Sequence, residues 1–390
     1  MKHLRNLFGA AMLLVTALTL TGCGLSDNAL EEIINGGSSS ETTPPTPTYN
    51  AKATPLSLEA IADGTITFKN GATNPVTYKI NDGAAQTVTD DPISISAGDI
   101  ISFWGDNTTY RGTDYSGISC TAECYLFGNI MSLISSTDFE NATELTGNNA
   151  LCRLFWENTN IKFDPSREFV LPALTLSNGC YENLFHGCTG LTQAPELPAT
   201  SLATSCYEFM FSGCSNLGSA PILSATKMYG DCYRGMFQEC TSLTTAPELP
   251  ARGTTGEELA YMCYAAMFDG CTALTTAPAL PATVLADWCY IMMFRGCSNL
   301  TTAPDLPAEV LLTNCYYQMF YNCVKLNHVK CLATSTSGSG YTDNWLGGDA
   351  GKQAGSAATG TKTFIKSSAA TFWTTNSVSG IPTGWTVSTE

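Results

Sequence analysis

Between residues 180 and 323 one pattern recurs six times: a cysteine with tyrosine beside it, a Met-Phe or Leu-Phe pair, a second cysteine eight residues after the first, and a leucine three further on. Most copies continue into Ala-Pro-x-Leu. The opening cysteines are Cys180, Cys206, Cys232, Cys263, Cys289 and Cys315, and their partners are Cys188, Cys214, Cys240, Cys271, Cys297 and Cys323. The period is 26 residues, broken once by a five-residue insertion at Arg252–Gly256. A fixed period of this length predicts a stacked solenoid, because each unit buries its apolar face only against its neighbours. Such a stack offers a long repetitive surface and seldom a catalytic pocket, which points to binding.

Within one repeat, Cys206, Met210 and Phe211 sit at i, i+4 and i+5, an apolar stripe on one helical turn that Gly213 ends. Cys214 and Leu217 then face inward, and Ala220 and Leu223 flank a short strand in which Pro221 removes a donor. Stacking sets equivalent residues about 5 Å apart, in columns of cysteine, phenylalanine and leucine. The paired cysteines read as small apolar core residues. Two degenerate units before them put Ala122 and Ala150 in the first cysteine position and Ile130 and Asn158 in the second. None of the paired cysteines has the close spacing of a zinc site, so no metal or cofactor is expected. Cys120, Cys124 and Cys152 fall outside the pattern, and a bridge among them stays open.

The flanks differ. Residues 1–22 read as a secretion signal, with Lys2 and Arg5 before an apolar run too short to span a bilayer. Removing them takes the net charge from −16 to −16 − 2 = −18, which disfavours nucleic-acid binding. Residues 24–35 suit a short helix, and 36–48 form a Gly/Ser and Pro/Thr linker within a 23–50 anchor segment. Alternation at Thr65–Phe68, Val76–Ile80 and Ile93–Ser96, with Ile100–Trp104 beyond, predicts a small all-β sandwich over 51–118. The repeat region then runs over 119–333. A C-terminal cap follows over 334–390, with a flexible stretch at Ser335–Gly340, strands near Thr361–Lys366 and Gly384–Val387, and Trp345, Trp373 and Trp385 closing the core.

Two resemblances add to this. Leu20-Thr21-Gly22-Cys23 resembles a bacterial lipobox, which implies cleavage before Cys23 and lipid on its thiol. The repeat Cys-Tyr-x-x-Met-Phe-x-x-Cys-x-x-Leu-Thr-x-Ala-Pro-x-Leu resembles the BspA-like leucine-rich repeats of surface lipoproteins in anaerobic Gram-negative bacteria, over about 122–333. The match is specific at Phe211, Cys214 and Leu217 and departs from the family by placing cysteine where isoleucine is usual. It implies an α/β leucine-rich-repeat solenoid of short strands and helical turns. It also implies a lipid-anchored place on the outer membrane, exposed at the cell surface, and a role in adhesion or host contact.

A partner is expected on the strand face. The residues after the strand prolines form a row of Glu196, Ile222, Glu248, Ala279, Asp305 and, in the last unit, Cys331. The residues before each Ala-Pro form another: Gln193, Ser219, Thr245, Thr276 and Thr302. The three acids suit a basic partner. The tyrosine row Tyr181 to Tyr316 lies on the opposite side, as partly buried packing with the hydroxyls in water, although tyrosines also stack on sugars. His186 and His328 carry no catalytic motif around them, the paired Glu257-Glu258 fall in the insertion, and no phosphate loop or nucleophile elbow occurs. The expected function is therefore non-enzymatic: binding of an extracellular protein, with glycan binding for a nutrient uptake system, or a purely structural role, as the alternatives.

Overall fold

Strict alternation along the N-terminal segments makes each strand apolar on one face, and burying those faces together builds a sandwich. The computed structural model describes residues 49–69, 74–108, 117–225, 227–249 and 259–390. The secretion signal, Cys23, the 24–35 helix, the linker and the Arg252–Gly256 insertion with Glu257-Glu258 lie outside them. The first eight strands are β1 (Ser57–Ala60), β2 (Gly64–Lys69), β3 (Thr77–Ile80), β4 (Gln86–Thr87), β5 (Ile93–Ile95), β6 (Ile100–Trp104), β7 (Gly117–Cys120) and β8 (Cys124–Asn129). One sheet carries β8-β1-β6-β3-β4 and the other β5-β2-β7. Phe68 of β2 meets Phe103 of β6 edge to face at 5.2 Å, joining the two sheets through a core that includes Ile66, Val76 and Ile101.

The first degenerate unit is part of this sandwich. Leu126 and Phe127 lie in β8, antiparallel to β1, and Ile130–Leu133 form a 3-10 helix capped by the Asn129 side chain. On its other edge β8 pairs in parallel with Ile161–Phe163, so one strand both completes the sandwich and begins the stack. The strand β7 runs across 118/119, and Tyr49–Glu390 form one compact unit.

From Asn149 onward, each repeat adds one layer. Ring columns set the spacing. Phe185, Phe211, Phe237, Phe268, Phe294 and Phe320 stack nearly parallel, with adjacent centroids 5.7 to 5.9 Å apart. Tyr181 to Tyr316 form a second column at 5.9 to 6.2 Å. Each such pair adds roughly 0.5–1.5 kcal/mol beyond its buried area.

The helical turn expected over Cys206–Gly213 is absent, and the described residues contain no α-helix. The backbone there is a ribbon of successive β-turns. Glu182, Leu184 and His186 donate within the layer, to the carbonyls of Gly179, Tyr181 and Asn183. The residues between them donate across it: Asn183 to Glu208 (2.8 Å), Phe185 to Met210 (2.9 Å) and Gly187 to Ser212 (2.7 Å). An α-helix would turn every amide along its own axis; here alternate amides point at the next layer and tie it. The geometry needs left-handed residues at fixed places, such as Gly187 (φ 72°) and Gly213 (φ 75°), but also Phe209 (φ 51°) and Trp288 (φ 63°).

The C-terminal segment continues the stack. Asn314, Gln318 and Phe320 donate to the carbonyls of Ser339, Asp343 and Trp345, which makes 339–347 a further layer. Its fully buried Trp345 covers the end of both ring columns, 6.3 Å from Tyr316 and from Phe320, and Trp373 stacks on its outer side at 5.4 Å. Ser335–Thr336, expected to be flexible, pair in parallel with Val310–Leu311. His328–Cys331, Thr363–Lys366 and Thr386–Thr389 end the chain as three parallel strands.

Candidate functional site

After the turn ribbon each layer crosses to an extended Ala-Pro segment that alternates inward and outward. In the Cys206 layer Pro221, Leu223 and Ala225 are buried while Ile222 and Ser224 are exposed. Gln193, Glu196, Thr245, Glu248, Thr276, Thr302 and Asp305, all expected to meet a partner, are exposed on this face. Parallel bridges align them, with Leu197 opposite Leu223, Thr245 opposite Thr276 and Thr302 opposite His328.

The last member of the row is corrected. Leu306 pairs with Cys331, a step of 25 residues where Thr302 to His328 is 26, so Asp305 stands beside Lys330. Cys331 is fully buried, and the Lys330 ammonium lies 3.4 Å from Asp305 and 2.7 Å from Glu390. The row therefore reads Glu196, Ile222, Glu248, Ala279, Asp305, Lys330. The residue-by-residue spacing hid this cation because the register slips by one after Thr302.

Two shallow slots open on this face. One, of about 680 Å³, lies between Gly218–Leu223 and Thr244–Leu249; the other, of about 390 Å³, lies between Ala277–Pro281 and Pro304–Pro307. Alanine, proline and leucine line both, with Ile222, glycine, serine and threonine added in the first, and each holds one acid, Glu248 or Asp305. The sequence reading missed the slots, although the prolines that interrupt the ladder were a signal for them.

The other candidate chemistry is buried. The six repeat tyrosines are at most 2% exposed, so their rings are unavailable to stack on a sugar, contrary to the partly solvated packing expected. The described cysteines are buried and form no disulfide. Burial lifts the Cys214, Cys232 and Cys263 thiols to about 12, far from the range of a thiolate nucleophile. Cys120 and Cys124 hydrogen-bond through their thiols, which holds Cys120 below its ordinary value and pushes Cys124 up. The second cysteine of each repeat does more than fill space. Cys214, Cys240 and Cys297 each donate to the carbonyl of the phenylalanine one layer back, at 3.1 Å, and Cys188 donates to Phe155 at 2.9 Å. Asn158, in the same position of the first layer, donates to the Ile118 carbonyl at 2.9 Å. The position selects a small donor, a requirement that Ile130 concealed because its unit is not a layer.

His186 packs edge-on against Trp156 at 5.7 Å, with its pKa lowered by burial, and His328 hydrogen-bonds Thr363 at 2.8 Å. Among the described residues, no three His, Cys, Asp or Glu side chains converge as metal ligands, and no helix is long and apolar enough to cross a membrane. No family model, curated protein or solved structure matches the chain.

Proposed function

We propose that this chain is a non-enzymatic surface lipoprotein, anchored through Cys23 in the outer membrane, whose leucine-rich-repeat-like solenoid binds an extracellular protein in adhesion or host contact. One observation carries the reading. The Ala-Pro face presents a regular row of uncovered polar and acidic side chains, while the described thiols, the six repeat tyrosines, His186 and His328 are wholly or partly packed away. The resemblance of the repeats to BspA-like surface proteins supports the same reading, and so does the acidic balance of the chain, which favours a basic partner.

The test is binding of the purified protein to immobilised extracellular-matrix proteins and to a polysaccharide array. The expected result is salt-sensitive matrix binding that drops at least tenfold when Glu196, Glu248 and Asp305 are together replaced by alanine. Binding to polysaccharides alone would replace this reading with the glycan one, and binding to neither would leave a structural role.

A further inference from the structure

Between Leu197 and His328 the layers of the Ala-Pro face are bridged in pairs. Parallel bridges join the Cys180 layer to the Cys206 layer at Leu197 and Leu223, the Cys232 layer to the Cys263 layer at Thr245 and Thr276, and the Cys289 layer to the Cys315 layer at Thr302 and His328. Among the described residues no backbone bridge or hydrogen bond joins Ser219–Leu223 to Thr244–Leu249, or Ala277–Pro281 to Pro304–Pro307. Those two interfaces are where the slots open. Each of the five layers from Cys180 to Cys289 carries a proline in its Ala-Pro segment and so lacks a donor there, whereas the Cys315 layer has Val329-Lys330-Cys331 in that place.

The exposed row follows the same rhythm. Across the first slot Ile222 faces Glu248, and across the second Ala279 faces Asp305. From Glu196 onward the row is acid, apolar, acid, apolar, acid, so charge repeats every second layer. Ile222 is 84% exposed, more than any other large apolar side chain among the described residues. No lysine or arginine lines either slot, and the nearest cation along the row is Lys330, beside Asp305. An uncovered isoleucine at an apolar slot, framed by acids at a fixed interval, is complementary to a partner with the opposite pattern.

We propose that this face binds an extended cationic peptide that runs along the stack, its lysine or arginine side chains on Glu196, Glu248 and Asp305 and its aliphatic side chains in the slots between them. Two layers span about 10–12 Å, which an extended chain covers in roughly three to four residues. The peptide therefore carries a cation at every third or fourth position with aliphatic residues between. This rests on the protein-partner reading above and specifies the partner's chemistry.

The experiment is fluorescence anisotropy of the full chain with three labelled synthetic peptides: Lys-Val-Val-Ser repeats, the same composition scrambled, and the repeats with glutamate for lysine. The patterned peptide is expected to bind, and the scrambled and acidic ones at least tenfold more weakly. Ile222→Asp and Glu248→Lys are each expected to weaken the patterned peptide at least tenfold, while Thr272→Ala, away from the row, leaves it unchanged. Both substituted side chains are exposed, so an unchanged urea midpoint will show that the fold is kept. Equal binding of patterned and scrambled peptides, or no binding of the patterned one, overturns the proposal. If Ile222→Asp abolishes neither peptide nor matrix-protein binding, the slots are not the site while the protein-partner reading survives. If wild-type protein binds neither, both fall.

Discussion

The turn side and the Ala-Pro side of each layer come from one 26-residue repeat, yet they are tied differently. On the turn side alternate amides donate to the next layer, and two ring columns stack without a break from Tyr181 to Tyr316 and from Phe185 to Phe320, with Trp345 over both ends. On the Ala-Pro side bridges join the layers only in pairs between Leu197 and His328. The difference separates two tasks. One edge fixes the stack and tolerates few side chains, whereas the other is released from holding it and varies from Glu196 to Ile222 to Lys330. A surface that does not carry the fold is free to carry recognition.

The sharpest way to break this contrast is to raise the pH. Burial lifts the Cys214 and Cys263 thiols from their ordinary value of 9.0 to about 12, and it raises the stacked tyrosines as well. The folded chain holds these protons longer than the unfolded chain, so their contribution is full below pH 9 and is lost as the pH rises towards 12. The urea midpoint is expected to fall steeply between about pH 9 and about pH 12. A flat midpoint there means that the thiols and phenols are not buried in the folded protein.

Substitution in a ring column comes next. Phe237→Ala removes a fully buried ring that stacks on Phe211 and Phe268 and is expected to cost about 3–5 kcal/mol in urea unfolding. A smaller effect follows from Cys240→Val, which keeps apolar bulk but removes the donor to the Phe211 carbonyl. We expect a loss of about 1 kcal/mol, absent if the thiol only fills space. The smallest effects belong to the other edge, where Ile222→Ser and Glu248→Ala are expected to move stability by no more than about 0.5 kcal/mol while weakening partner binding. Large destabilisation by either would mean that the Ala-Pro face carries the fold after all.

Much of this was legible in the residues, and the failures have physical causes. The columns at Cys206, Met210, Phe211, Cys214 and Leu217 are fully buried, and the outward rows are exposed, because a repeated spacing reports a repeated environment. The turn ribbon was not legible. A stripe at i, i+4 and i+5 suits a helical turn equally well, and left-handed positions held by Phe209, Met262 and Trp288 show no glycine. The column of Gly187, Gly213, Gly270 and Gly296, with Gly179 and Gly235 elsewhere in the ribbon, marks it. The 122–133 segment satisfied the repeat spacing while folding as β8 and a 3-10 helix, because strand pairing with β1 claimed it. The Cys331 position failed through a one-residue slip, which sequence spacing does not show.

If one repeat makes one layer, the distance between spin labels at Gln193→Cys and Thr302→Cys, in a chain that also carries Cys23→Ser, is fixed by the number of layers between them. The described native cysteines are buried, so the label reports the introduced pair. The two positions are 109 residues and four layers apart, so a single narrow distance of about 20–24 Å between their backbones is expected. A separation beyond about 35 Å, or a spread of distances without one maximum, would contradict it.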